Sequence, residues 1–161
     1  MTTRPSAPEQ HIAMAIRAQL GNTAEEVRVH RKDRMSVVSR KEMVREAAQR
    51  LQRLGFDHTV SVSGVDRPDE KKIEVLYFLS SYSRDDLKRI VLSLRVKADR
   101  ENPSLPSLTP IWASADLFER EAYEMFGVNF EGHPNLRKLL LQDNWDGPPP
   151  LRKDLKIPEL A

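Results

Sequence analysis

One stretch of this chain alternates apolar and polar residues, and a neighbouring stretch is predicted to pair with it. Within residues 88–97 an apolar residue stands at every even position from Ile90 to Val96, and residues 73–80 are rich in strand-forming side chains. Successive side chains of a strand point to opposite faces, so the alternation predicts a pair of strands with one buried and one solvated face. The polar residues 81–86 form the predicted turn between them.

The remainder of the first 127 residues mixes helix and strand patterns. Ile12, Ile16 and Leu20 recur every four residues, and Gly21 follows where an amphipathic helix would end. Further helices are predicted over residues 39–54 and 116–126, and further strands near residues 27–29, 35–38 and 60–65.

The two later helices both begin with a polar residue that is followed three positions on by a glutamate. Ser39 with Glu42, and Asp116 with Glu119, have the spacing of a capping box, in which both side chains satisfy amide groups of the first turn. Gly127 stands at the position where the last helix is predicted to end.

Residues 101–112 contain three prolines, which oppose a regular helix or strand ladder because each lacks an amide hydrogen. We predict an ordered crossing loop or a linker there. Together the patterns predict an α+β fold with a mixed, largely antiparallel sheet, helices packed on one face and an extended C-terminal arm. The predicted organisation is a disordered N-terminus at residues 1–10, a globular domain at 11–127 and a partner-binding arm at 128–161.

The predicted arm combines prolines with large apolar side chains. Residues 131–161 contain five prolines, yet they also contain Leu136, Leu140, Trp145 and Leu151. A disordered tail is normally poor in such residues, and a structureless loop beyond ~12 to 15 residues is uncommon in a compact domain. We therefore expect an extended arm that buries its apolar side chains on another protein.

The chain lacks the residues that several redox and nucleotide-binding classes require. It has no cysteine, which excludes disulfides, thiolate zinc sites and all-cysteine iron–sulfur ligation, so any redox centre must belong to a partner. The six glycines are too dispersed for a phosphate-binding loop, and the four histidines show no metal-ligand spacing. A formal net charge of +2 argues against a nucleic-acid partner, and no apolar run is long enough to span a membrane. We expect no catalytic, cofactor-binding or metal-binding residue.

A stand-alone hydrolase or isomerase is the alternative from another functional class, with Glu119, Glu121 or His133 as its acid or base. Glu119 is explained as a helix cap, however, and Arg120 and Glu124 have the i,i+4 spacing of a surface ion pair. No pocket residues are predicted to converge on these carboxylates, so we favour a structural role for them.

Residues 118–154 mix arginines with rigid aromatic residues, which are enriched at the centres of protein interfaces. The predicted partner-binding residues are Glu119, Arg120, Glu121, Tyr123, Phe126, Gly127, His133, Pro134, Leu136, Arg137, Leu140, Trp145, Leu151, Arg152, Lys153 and Asp154.

Five segments of the second half are distinctive: residues 103–109, 118–127, 130–141, 144–147 and 151–154. These segments resemble the thirty-kilodalton subunit family of the NADH:quinone oxidoreductases (complex I). The likeness covers about residues 59–154, and residues 155 and 156 depart from the family, which often has an aromatic residue followed by proline there.

The resemblance implies a cofactor-free, non-catalytic subunit in the hydrophilic arm of a proton-translocating respiratory quinone oxidoreductase, driven by NADH or a deazaflavin coenzyme. Its partners would be the subunit that resembles a hydrogenase large subunit and shapes the quinone pocket, and the subunit that carries the terminal iron–sulfur cluster. Iron–sulfur clusters and quinone would be bound by the partners, on the cytoplasmic side of an energy-transducing membrane. An equivalent subunit of a membrane-bound nickel–iron hydrogenase complex is the alternative within the resemblance.

Overall fold

Three helices and seven strands make up a computed structural model that describes residues 7–142 and 144–155. In chain order they are α1 (Ala7–Leu20), β1 (Glu26–Arg31), β2 (Arg34–Ser39), α2 (Val44–Leu54), β3 (His58–Arg67), β4 (Lys72–Ser80), β5 (Val91–Asp99), β6 (Ser104–Pro106), α3 (Asp116–Phe126) and β7 (Asn129–Glu131). Among the described residues, no helix has the length and apolar character that a membrane span needs.

The five longer strands form one mixed sheet in the order β1-β2-β5-β4-β3. Strands β2 and β5 are parallel, and the other three neighbouring pairs are antiparallel. The alternation that predicted β5 is confirmed, because Leu92 and Leu94 are fully buried whereas Ser93 and Arg95 are only half-buried. The predicted α+β class with a mixed sheet is likewise confirmed.

One face of the sheet carries the core and all three helices. Val75 and Tyr77 of β4 are fully buried there, together with Leu51 of α2. Helix α3 reaches the same face through Phe126, whose ring lies so close to Gly64 of β3 that an added Cβ atom would stand 2.4 Å from it. Glycine at this position therefore sets how closely α3 approaches the sheet.

The beginning of the chain is more ordered than predicted. Residues 7–10 belong to α1 and are not disordered, while residues 1–6 lie outside the described part of the chain. Pro8 stands in the first turn of α1, where a missing amide costs no helical hydrogen bond, and Glu9 is the acidic residue of that turn.

The predicted capping box of α2 is wrong. The helix begins at Val44, and its cap residue, Met43, makes no side-chain cap hydrogen bond. The Ser39 hydroxyl instead donates to the carbonyl of Thr23 at 2.7 Å, which ties the end of β2 to the turn after α1. The end of the helix is as predicted, with Gly55 in the left-handed conformation.

The proline-rich loop contains a short strand, β6, which the sequence did not predict. It pairs in parallel with β7, so residues 128–131 belong to the globular domain and not to the arm. The bonds at its ends avoid proline amides, because the carbonyl of Pro103 accepts from the amide of Asn129 and the amide of Ser107 donates to Glu131. Val128 and Phe130 are buried accordingly.

Candidate functional site

Helix α3 carries three charged residues on one stripe: Asp116, Arg120 and Glu124. They are four residues apart, and a turn of 3.6 residues places such side chains one above another. The C-terminal segment (residues 132–142 and 144–155) follows β7 and runs along this stripe from the first turn of α3 to its last. The stripe therefore sets the path of this segment across the domain.

His133 fixes the start of the C-terminal segment. Its side chain is fully buried, its Nδ1 accepts the amide hydrogen of Asn135 at 3.0 Å, and its Nε2 lies 3.2 Å from the carbonyl of Asp116. Since Nδ1 is an acceptor, Nε2 carries the proton of the neutral ring and donates to that carbonyl. The imidazole thus joins a turn of the segment to the first turn of α3.

Arg120 and Glu124 bind the backbone of the next part of the C-terminal segment, Arg120 through carbonyl groups and Glu124 through amide groups. The Arg120 guanidinium donates to the carbonyls of Arg137 and Lys138, both at 3.2 Å. The Glu124 carboxylate accepts three consecutive amide hydrogens, from residues 139, 140 and 141, at 3.2, 2.8 and 2.6 Å. A cation is bound to carbonyls and an anion to amides, so both charges strengthen the hydrogen bonds that they make.

The surface ion pair predicted between Arg120 and Glu124 is therefore wrong. Both side chains are buried, and within the described residues they form no ion pair with each other. Burial alone raises the pKa of Glu124, but the three amide donors outweigh it and hold this pKa below its usual range. Glu124 is consequently ionised at neutral pH, as its role toward the amides requires.

A second group of charges fastens the end of the C-terminal segment. Asp66 of β3 is buried and accepts two hydrogen bonds from Arg100, at 2.7 and 2.9 Å, and one from the amide of Lys153, at 2.8 Å. Arg152 donates to the carbonyl of Arg100 at 3.1 Å, and Asp154 lies 3.3 Å from the Arg100 guanidinium. The hydrogen bonds from Arg100 are the largest cause that keeps the pKa of Asp66 low. We call these five residues the clasp.

The large apolar side chains of the C-terminal segment face outward. Leu140 is 63% exposed and Leu151 is 56% exposed, and Leu139 and Trp145 are each more than one third exposed. The backbone beneath them is held by the α3 stripe and the clasp, so the exposed side chains stand on a fixed frame. Such clusters of exposed apolar residues mark interaction surfaces.

Glu119 does not act as the helix cap that the sequence predicted. Its carboxylate is fully buried and accepts hydrogen bonds from the Tyr77 hydroxyl at 2.9 Å, the Ser107 hydroxyl at 2.6 Å and the Leu108 amide at 2.8 Å. Burial raises the pKa of Glu119 even though the three donors oppose this. The residue joins α3, β4 and the proline-rich loop.

The three residues of the enzyme alternative do not share an open site. Glu119 is buried, Glu121 is exposed on the other side of the helix, and both nitrogens of His133 are occupied by the backbone contacts described above. Among the described residues, no group of three histidine, cysteine, aspartate or glutamate side chains is arranged to hold a metal ion.

The other predicted partner-binding residues are distributed unevenly. Gly127 is the left-handed cap of α3. Pro134, Arg137, Lys153 and Asp154 are exposed, Tyr123, Leu136 and Arg152 are half-buried, and Phe126 is buried against Gly64. Sequence reasoning missed Tyr77, Ser107 and Arg100, whose roles depend on residues far away in the chain.

The sequence and the fold of this chain were compared with those of known proteins. The family model of the respiratory-chain NADH dehydrogenase 30 Kd subunit matches residues 37–160. The chain belongs to this family. This match confirms the family resemblance that was predicted from the segments after residue 103.

Relatives within the family come from bacteria and archaea. The NADH-quinone oxidoreductase subunit of this family from Chloroherpeton thalassium is 43% identical over 109 residues, which cover 68% of this chain and 43% of that protein. The F(420)H(2) dehydrogenase subunit of the same family from Methanosarcina mazei is 41% identical over 101 residues, which cover 63% of this chain and 61% of that protein. The matched region thus spans less than two thirds of each of these relatives.

Two solved structures share the fold. A chain of the membrane-bound sulfane sulfur reductase, an archaeal respiratory membrane complex, superposes with a TM-score of 0.81 at 23% identity, covering 92% of this chain and 86% of that one. A trypsin-resistant fragment of Nqo5 superposes with a TM-score of 0.65 at 28% identity, covering 80% of this chain and 99% of the fragment.

Proposed function

We propose that this chain is a cofactor-free accessory subunit in the hydrophilic arm of a complex I-like respiratory quinone oxidoreductase. It contributes no chemical step. It braces the subunit that shapes the quinone pocket and the subunit that carries the terminal iron–sulfur cluster, on the cytoplasmic side of an energy-transducing membrane. Relatives named for NADH-quinone and F(420)H(2) oxidation support membership in such an enzyme.

The observation that carries the proposal is the way the C-terminal segment presents its apolar side chains. Arg120 and Glu124 are buried charges, yet they bind the backbone of this segment and nothing catalytic. Leu140 and Leu151 are left more than half exposed on that backbone. Burying such a leucine in a partner is worth roughly 1 kcal/mol or more, so a rigid set of them provides specific docking.

The redox groups of the proposed enzyme do not fit this chain. Iron–sulfur clusters need cysteine thiolates, and the sequence has no cysteine. The clusters are therefore assigned to partner subunits, and the proposal assigns the quinone to them as well. We expect the purified chain to show no visible absorption and no stoichiometric iron, zinc, flavin or nicotinamide, and one tightly held ion per chain in metal analysis would contradict this.

The proposal is tested with an affinity-tagged copy of the chain expressed in its own host. Purification from detergent-solubilised membranes is expected to yield a complex that contains iron–sulfur clusters and reduces quinone, while the chain purified alone has no activity. A doubly substituted variant, Leu139→Ser with Leu140→Ser, removes outward apolar surface without touching the backbone contacts, so the yield of complex should fall.

The matched control is Met14→Ser, because Met14 is 66% exposed on α1, away from the C-terminal segment. This variant should assemble normally. If the double leucine variant assembles as well as the wild type, the exposed leucines do not bind a partner. If the chain alone turns over a substrate, the accessory role is refuted.

A further inference from the structure

The face of the sheet opposite the helices is open. The side chains of Val75, Tyr77 and Leu79 point to the core, whereas Leu76 and Phe78 of the same strand point the other way and are half-buried. Within the described residues, no helix lies over this second face. An antiparallel sheet tolerates water on one side, but that side then normally carries mainly polar residues.

The centre of the open face carries two large apolar side chains. Strand pairing places Phe78 between Ser61 of β3 and Ser93 of β5, and it places Leu76 between Ser63 of β3 and Arg95 of β5. Three of these four neighbours are serines, whose small side chains leave the two apolar residues accessible to a contacting surface.

An arginine–glutamate–arginine triad borders this apolar centre. Glu74 is buried and accepts one hydrogen bond from the Nε group of Arg67 and one from the Nε group of Arg95, each at 2.7 Å and on different oxygens. The Nη2 atoms of the two arginines lie 2.6 Å from the same oxygens as ion-pair contacts. The Nη1 groups of both arginines donate no hydrogen bond within the described residues. A second carboxylate, Glu70, lies 3.9 Å from Arg67 and pairs with Lys97. Three cations therefore face two carboxylates, which leaves one net positive charge, with unused guanidinium donors, beside Leu76.

We propose that the open face is a second docking surface, which takes an apolar residue with an adjacent carboxylate from a partner subunit. The carboxylate binds the unused donors of Arg67 and Arg95, and the apolar residue packs on Leu76 and Phe78. This inference rests on the proposed function, because it needs a partner that is already held by the C-terminal segment.

The size of the face selects a partner subunit over a second copy of this chain. Five strands about 4.8 Å apart, with six to ten residues each, span only about 600 Å². A stable independent interface buries about 800 Å² on each partner. The face is therefore too small to hold a dimer by itself, but it suffices for a partner that the C-terminal segment keeps at high effective concentration.

Substitutions at Ser63 test whether the partner docks on the open face and whether it presents a carboxylate there. It is exposed on β3 and paired with Leu76, so it is accessible without disturbing the fold. With the tagged chain in its own host, Ser63→Glu should lower the yield of complex by about tenfold through repulsion of the partner carboxylate. Ser63→Lys should assemble close to normally. Gln49→Glu and Gln49→Lys, on the exposed side of α2, are the matched controls.

Hydroxyl-radical footprinting supplies the second measurement. Phe78 should be oxidised in the isolated chain and protected in the purified complex. Equal oxidation of Phe78 in both states overturns the proposal, as does equal protection, which would mean that another segment of this chain covers the face. Equal losses with Ser63→Glu and Ser63→Lys, or no loss with either, also overturn it. A wild-type chain that never copurifies with a complex refutes the proposed function itself, and this inference with it.

Discussion

Replacing Glu124 by glutamine tests whether this residue organises the C-terminal segment. The carboxylate accepts three amide hydrogens, two of them at 2.8 Å or less. Glutamine keeps one acceptor oxygen but turns an NH₂ group toward the remaining amides, so at least one charge-assisted bond is lost and a buried donor is left unpaired. We expect the opening free energy of this part of the segment to fall by about 2 to 4 kcal/mol.

That loss is measurable by amide hydrogen exchange in the isolated chain. A change of 2 to 4 kcal/mol corresponds to exchange that is roughly 30- to 700-fold faster at residues 139–141, or to complete loss of protection if the opening free energy is smaller. Glu121→Gln is the control, because Glu121 is exposed on the same helix and should change nothing. Exchange at residues 139–141 that is equal in wild type and Glu124→Gln would refute the assignment of Glu124 as their anchor.

Three further predictions follow from the same contacts. Arg152→Ala should lower the yield of assembled complex while the melting temperature of the isolated chain changes little, since in the described part of the chain the side chain donates to one carbonyl and pairs with a half-exposed carboxylate. Turnover per complex that falls at least about tenfold would instead place Arg152 in the reaction path. Gly64→Ala should cost about 1 to 3 kcal/mol in thermal unfolding, because its Cβ would clash with Phe126, whereas Ser63→Ala should be nearly neutral. The contribution of Asp66 to the free energy of unfolding should be complete at neutral pH and decline as the pH falls below the unfolded-state pKa near 3.9 and through the lower folded pKa. The NMR shift of the Lys153 amide bound to Asp66 would report this titration, and a midpoint at the unfolded-state value would contradict the clasp.

The fold class was predictable because the elements carry their own periodic patterns. The alternation in β5 and the four-residue spacing of α1 describe local geometry, and both elements formed where the patterns place them. The short strand β6 carried no such pattern. It depends on pairing with residues 129–131, more than twenty positions later. Its prolines mask the signal, although the bonds to β7 use a proline carbonyl and the amides of other residues.

Sequence singled out residues 118–154 as the predicted partner-binding region, but it did not predict the contacts that these residues make. The i,i+4 spacing of Arg120 and Glu124 is the same whether two side chains pair with each other or bind a third element. The position of the backbone of residues 137–141 decides between these two arrangements, and no periodic sequence pattern predicts that position. The clasp was still harder to predict, because the hydrogen bond from Lys153 to Asp66 links residues that are 87 positions apart in the sequence.

The buried charges of α3 and the clasp provide hydrogen-bond partners for the backbone of the C-terminal segment. A segment that forms neither a helix nor a strand ladder has no regular partners for its amide and carbonyl groups. Its own apolar side chains cannot serve, because they neither donate nor accept hydrogen bonds. Arg120, Glu124 and Asp66 supply those pairs from the domain, which leaves the leucines available for contact with another protein. A flexible segment with the same leucines would offer the same surface but would lose more entropy on docking. Glu124→Gln should therefore weaken assembly without changing any outward-facing residue, whereas the double leucine substitution changes the surface and leaves the frame intact. Hydrogen exchange in the isolated chain separates the two effects, because only the first variant should loosen residues 139–141.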